Sequence, residues 1–168
     1  MVLRYRDQKI AHITVYGSPK TTPSPAGQPG RSHVWRESAP NAALEQQVRA
    51  NWTHGLSTLA REDLVFVDAA HGTISHGTDA LKQARALHQR RFDKATCPIQ
   101  SMGSSGAHVW VHSICSGIYR GAIAKRGVRV QVEVLDSLVF QDGRLVKLTS
   151  YTHPAVVAKQ LGLKGAHP

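Results

Sequence analysis

VRVQVEVLDSLVFQDGRLVKLTSY, Val128 to Tyr151, is the stretch from which the fold is read. Alternate residues of a strand share a face, so Val128, Val130, Val132, Val134, Asp136, Leu138 and Phe140 point the same way. Asp142-Gly143 has the chemistry of a tight hairpin turn, and RLVKLTSY then returns antiparallel. Upstream, AHVWVHSICSGIYRGAIA (Ala107 to Ala124) reads as a long strand bent near Gly117, with KRG turning it into the next. CPIQSM, from Cys97, is a short edge candidate because Pro98 has no N–H for a ladder. Everything after Cys97 therefore reads as a β-meander.

The preceding residues have the other periodicity. Ser38 followed by Pro40 predicts a helix start, with a capping hydroxyl and a proline inside the first turn. Leu44, Val48, Trp52, Leu56 and Leu59 then recur at three- and four-residue steps on one face, with Gly55 as a break or kink. DLVFVDA, Asp63 to Ala69, predicts a short strand, and HGTISHG a loop. Thr78 is the expected cap of a second helix whose stripe is Leu81, Ala84, Leu87 and Phe92, with His88 among them. Helices followed by an antiparallel sheet predict an α+β architecture in which the sheet wraps the helical layer.

At 168 residues the chain is read as one domain with an N-terminal extension, large enough to bury roughly two-thirds of its unfolded surface. The extension has two parts. LRYRDQKIAHITVYGSP (Leu3 to Pro19) aligns at a constant offset with LVFQDGRLVKLTSYTHP (Leu138 to Pro154), matching at Asp7/Asp142, Thr14/Thr149 and Tyr16/Tyr151. Residues 1–19 thus read as a strand-like arm resembling the domain's own last hairpin, either a repeat remnant or a shared hairpin grammar. Such a hairpin is expected to dock on a sheet edge of the domain or of a partner chain. Residues 20–40, rich in proline, read as a linker, and 41–168 as the folded domain.

Lys and Arg total 21 against 11 acids, for a formal charge of +10. That excess attracts anionic partners, nucleic acid included, but a solvated basic surface has the same composition. No zinc-finger spacing or aromatic RNA-binding signature accompanies it. No segment has the length of a membrane span, and MVLRYRDQK lacks the apolar stretch of a signal peptide. With only Cys97 and Cys115, a reduced cytoplasmic protein without disulfides is expected.

Two carboxylates stand out. Asp136 interrupts an apolar strand face, and an ionised Asp buried there must be protonated, paired or open to a cavity. Holding a backbone amide, facing outward at a bulge, or doing acid/base chemistry would each account for it. Asp68 ends the face of Leu64 and Phe66, as a turn former or as a catalytic carboxylate. His108 and His112, four residues apart on a strand, are roughly 13 Å apart, too far for one metal ion. No metal site, phosphate loop or dinucleotide fingerprint is read, and no cofactor is expected.

REDLVFVDAAHGTISHGTDAL (Arg61 to Leu81) and VEVLDSLVFQDGRLVKLTSY (Val132 to Tyr151) resemble the nuclear transport factor two and ketosteroid isomerase superfamily. The resemblance spans Ala42 to Pro154. It implies a cone-shaped curved sheet around N-terminal helices and a homodimer through the outer face of the sheet. It also implies a general base at Asp68 and a protonated hydrogen-bond donor at Asp136. Where the isomerases carry an oxyanion tyrosine on the first helix, LEQQVRANWTHGLSTL has none; Trp52 and His54 are the polar aromatics there, and Tyr119 or Tyr151 are the substitutes the sheet offers. The implied pocket is lined by Trp52, Phe66, Tyr119, Val132 and Val134, with Trp110/His112 or Val109/Val111 according to register. Two functions follow. One is an acid/base enzyme of isomerase, cyclase or hydrolase type acting on a small apolar molecule. The other is a non-catalytic ligand-binding or dimerisation module whose basic surface meets an acidic partner or nucleic acid.

Overall fold

The computed structural model of the chain describes residues 2–6, 9–14, 39–121 and 127–163. Strands β1 (Val2–Arg6) and β2 (Lys9–Thr14) pair antiparallel as a two-stranded sheet of their own. No backbone ladder joins them to the main sheet among the described residues. The linker expected over 20–40 lies outside the described residues except for its last two positions, and so does Ser38.

Helix α1 (Ala42–Asn51) starts three residues later than the Ser38 cap predicts. Asn41 is the cap, its side-chain oxygen accepting from the Leu44 N–H at 3.2 Å, and Pro40 precedes it. Leu44, Val48, Trp52, Leu56 and Leu59 all pack into one core, as their spacing predicts. Gly55 ends this stretch at φ 104°, a conformation L side chains rarely adopt, and a single 3-10 turn follows at Leu56–Thr58.

Strand β3 (Ala60–Asp68) returns through a turn into β4 (Thr73–His76), so TISH is a paired strand and not the expected loop. Helix α2 (Thr78–Arg91) has Gly77 at its cap, and the Thr78 side chain makes no capping bond. Phe92, expected on the helix stripe, begins β5 (Phe92–Thr96). β6 (Ile99–Ser105), β7 (His108–Tyr119), β8 (Arg129–Gln141) and β9 (Arg144–Tyr151) form the meander. Between the last two, Asp142 and Gly143 both have positive φ (51° and 73°), the turn their dipeptide favours. The chain then enters a short helix that the sequence reading lacked, α3 (Pro154–Gln160).

The seven-stranded curved sheet runs β4-β3-β9-β8-β7-β5, with β6 also paired to β7; β3 and β9 are parallel and the other pairs antiparallel. This is the α+β arrangement expected, a sheet curled over α1 and α2. Leu64, Leu138, Leu145, Val48, Val109 and Val111 are fully enclosed. Each such side chain stabilises the fold by about 1.5–3 kcal/mol relative to exposure. Val109 and Val111 settle the register of β7: they face the core, and Trp110 and His112 lie on the opposite face.

The cysteines overturn the expectation of free thiols. Cys97 and Cys115 form a disulfide across the β5–β6 junction and β7. The physical reason is the meander itself, which brings the segment between Thr96 and Ile99 opposite Ser113–Ser116. With the thiols paired, cysteine number no longer argues for a reducing compartment. No helix among the described residues is long and apolar enough to cross a membrane.

Candidate active site

Asp136 sits in the middle of β8, on the same face as Val130, Val134, Leu138 and Phe140, all buried. The alternation that made it conspicuous in sequence is regular there; the β8–β9 register shifts only beyond it, between Val139 and Phe140. Its cross-strand neighbours are Val111 on β7 and Ser150 on β9. Burial pushes its carboxyl up from the usual 3.8 to about 6, while the Ser150 hydrogen bond pulls the other way. At 8% exposure the group has no water shell to support its charge, so the neutral form gains.

Asp68 ends β3 opposite Ser150, because Ser150 registers with both aspartates. The two acids therefore stand two strands apart, roughly 10 Å at ordinary strand spacing. Their surroundings differ. One oxygen of Asp68 accepts from the backbone N–H groups of Ala70 (3.0 Å) and His71 (3.2 Å). The other lies 2.7 Å from His71 Nδ1. Asp68 thus closes the β3–β4 turn and clamps an imidazole. With Nδ1 engaged, Nε2 is the ring nitrogen of His71 left for chemistry.

A cavity of about 700 Å³ lies between the concave face of the sheet, the end of α2 and α3. Asp136 and Ser150 belong to its floor with Val130, Val132 and Val134; His71 stands on its border. Helix α2 contributes His88 and Arg91, and α3 contributes Val157. The Cys97–Cys115 disulfide forms part of the wall. His88 stacks against Phe92 at 5.0 Å between ring centroids, and burial lowers its imidazole below the usual range. Among the described residues, no three His, Cys, Asp or Glu side chains converge as metal ligands do.

Of the residues singled out in sequence, Asp136, Tyr119, Val132 and Val134 line this cavity. Trp52 and Phe66 pack against the hydrophobic core instead, the Trp52 indole N–H donating to the Cys97 carbonyl at 2.7 Å. Trp110 and His112 are on the far face of β7, and Tyr151, paired with Leu135, is not among the lining residues. Asp68 reaches the cavity only through His71. Sequence reasoning missed His71, His88 and Arg91 as lining groups. For His71 the signal was present, since an Asp at a strand end followed three residues on by His is a turn that brings the two together.

No protein-family model matches the chain, and no curated protein matches its sequence. Solved structures do match. A Catenulispora acidiphila DSM 44928 protein of ketosteroid isomerase-like fold, held in complex with trimethylamine, superposes with a TM-score of 0.60 at 20% identity, over 74% of this chain and 96% of that one. TsrD from Streptomyces laurentii gives 0.62 at 16% identity, over 73% and 98%. IdmH from Streptomyces antibioticus, proposed to be a polyketide cyclase, gives 0.60 at 17% identity, over 72% and 97%. At these identities the likeness is one of fold, and the fold is ketosteroid isomerase-like, of the nuclear transport factor two type.

Proposed function

Starting from a ketosteroid isomerase-like fold, we propose that the protein is an acid/base enzyme of isomerase, cyclase or hydrolase type acting on a small apolar molecule. The observation carrying this reading is a buried carboxyl, Asp136, opening onto an apolar cavity whose border also holds His71. A carboxyl and an imidazole bordering one apolar space, the first buried and the second solvent-facing, are a pair that proton transfer at carbon can use.

In the reaction, His71 Nε2 takes a proton from the carbon next to a substrate carbonyl. Asp136, in its neutral form, donates a hydrogen bond to the oxygen on which negative charge develops. The imidazolium then returns the proton, to the same carbon or to another. Asp68, its oxygens already occupied by two amides and Nδ1, acts through His71: it fixes the tautomer and stabilises the cation. This assigns to His71 the base role that the resemblance gave to Asp68.

The test is exchange of the α-protons of 2-tetralone for deuterium, followed by proton NMR. The wild-type protein should exceed the buffer rate, and Asp136→Leu and His71→Gln should each lose about 100-fold or more of the excess. Because Asp136 donates only when protonated, the rate should fall as pH rises through about 6, and Asp136→Asn should lack that limb. An unchanged rate in Asp136→Leu overturns the mechanism.

The second reading is a ligand-binding module without turnover, favoured by the way Asp68 is used up in its turn. It expects 2-tetralone to bind while all variants exchange at the buffer rate.

A further inference from the structure

One wall of the cavity carries an imidazole and a guanidinium, the first partly buried and the second exposed, on the same helix. His88 Nε2 is buried and has no hydrogen-bond partner among the described residues. A buried polar atom left in this state costs free energy unless something fills the vacancy. Arg91 also lines the cavity, and among the described residues its guanidinium enters no ion pair or hydrogen bond. Asp93, two residues on, pairs with Arg120 at 2.7 Å instead. His88 and Arg91 are three apart on α2, so their Cβ atoms lie about 5–6 Å from each other and both side chains reach the same space. Across from them the floor offers Val130, Val132 and Val134, and the only carboxyl lining the cavity among the described residues is Asp136.

We propose that the cavity takes an apolar molecule bearing one carboxylate, which is gripped by the Arg91 guanidinium and by His88 Nε2 while the apolar body lies over the valines toward Asp136. The planar fork of Arg91 matches a carboxylate in two parallel hydrogen bonds. His88 supplies the third donor once its ring turns Nε2 out of the wall toward the carboxylate, which gives a partner to a buried nitrogen that has none among the described residues. The valine floor sets the rest of the class, since a polyanion or sugar would leave its polar atoms unpaired against it. This inference rests on the small-molecule reading of the cavity given above and adds the anionic group to it.

The experiment compares 2-naphthoate with 2-acetylnaphthalene, similar in shape but uncharged, by isothermal titration calorimetry on the full chain. Wild-type protein should bind 2-naphthoate at least about ten-fold more tightly than the ketone. Arg91→Gln and His88→Leu should each remove most of that preference, read as the ratio of the two affinities in the same variant. Arg90→Gln, on the same helix but not lining the cavity, should keep the preference. Should Arg91→Gln fail to fold, Arg91→Lys, which retains charge without the fork, should show a reduced preference. Equal affinity for the two probes, or a preference untouched in the Arg91 and His88 variants, overturns the carboxylate subsite and leaves the cavity reading intact. If neither probe binds, both fall together.

Discussion

Asp136 raises the energy of the folded state when it is charged, and that has a measurable sign. Its folded pKa of about 6 lies above the ordinary 3.8, so between those values the folded protein holds a proton that the unfolded chain has released. Stability must therefore decline as pH rises from about 4 to about 6 and then level off, by about 3 kcal/mol for this group alone. In Asp136→Asn that decline should vanish, leaving the variant more stable than wild type above pH 7. Urea denaturation of both proteins from pH 4 to 8 checks this; parallel stability curves would refute it. The residue was legible in sequence because a strand's two-residue period makes one acid among valines visible. His88 was not, since its place depends on how α2 rolls onto the sheet. Leu87, expected to face inward, is 48% exposed, while Leu81 packs against the core and His88 takes the inward place.

Among the elements, the meander was the most readable part: β9 spans the RLVKLTSY quoted from sequence, and the turn before it follows from Asp142-Gly143. β4 was hidden because TISH is exposed throughout and carries no alternation. α3 was hidden because seven residues give too few turns for a periodic signal. The disulfide was hidden for a different reason. Two cysteines separated by 18 residues meet only once β5, β6 and β7 are in register. Closing that loop in the unfolded chain should stabilise the fold by about 3 kcal/mol. Reduction, or replacement of both Cys97 and Cys115 by Ala, should thus lower the melting temperature by roughly 6–12 °C. An unchanged calorimetric transition in the reduced protein would argue that the bridge contributes nothing.

At the scale of the whole molecule, curling leaves the sheet with an outer face. Trp110, Ile114 and Ile118 stand along it on β7, only half covered, with His108 and Trp110 rings 5.9 Å apart. Burying that strip against a second copy would cover it on both molecules at once, which is how an isologous pair works. Light scattering coupled to gel filtration should then give twice the 18.3 kDa chain mass, and Trp110→Glu should halve it. A wild-type protein eluting as a single chain refutes the pairing.

One fastening described by a few distances holds down a wall of the cavity. Beyond the end of β9, the exposed backbone of β8 at Gln131 is bonded by a side chain: Gln160 accepts from its N–H at 2.8 Å and donates to its carbonyl at 2.7 Å. Leu161 and Val157 seat the same helix on Tyr119 and Val130. A single glutamine thus imitates a neighbouring strand and latches α3 in place. Because Val157, Ala158 and Leu161 also line the hollow, loosening that glutamine would reshape the cavity and unseat the helix together.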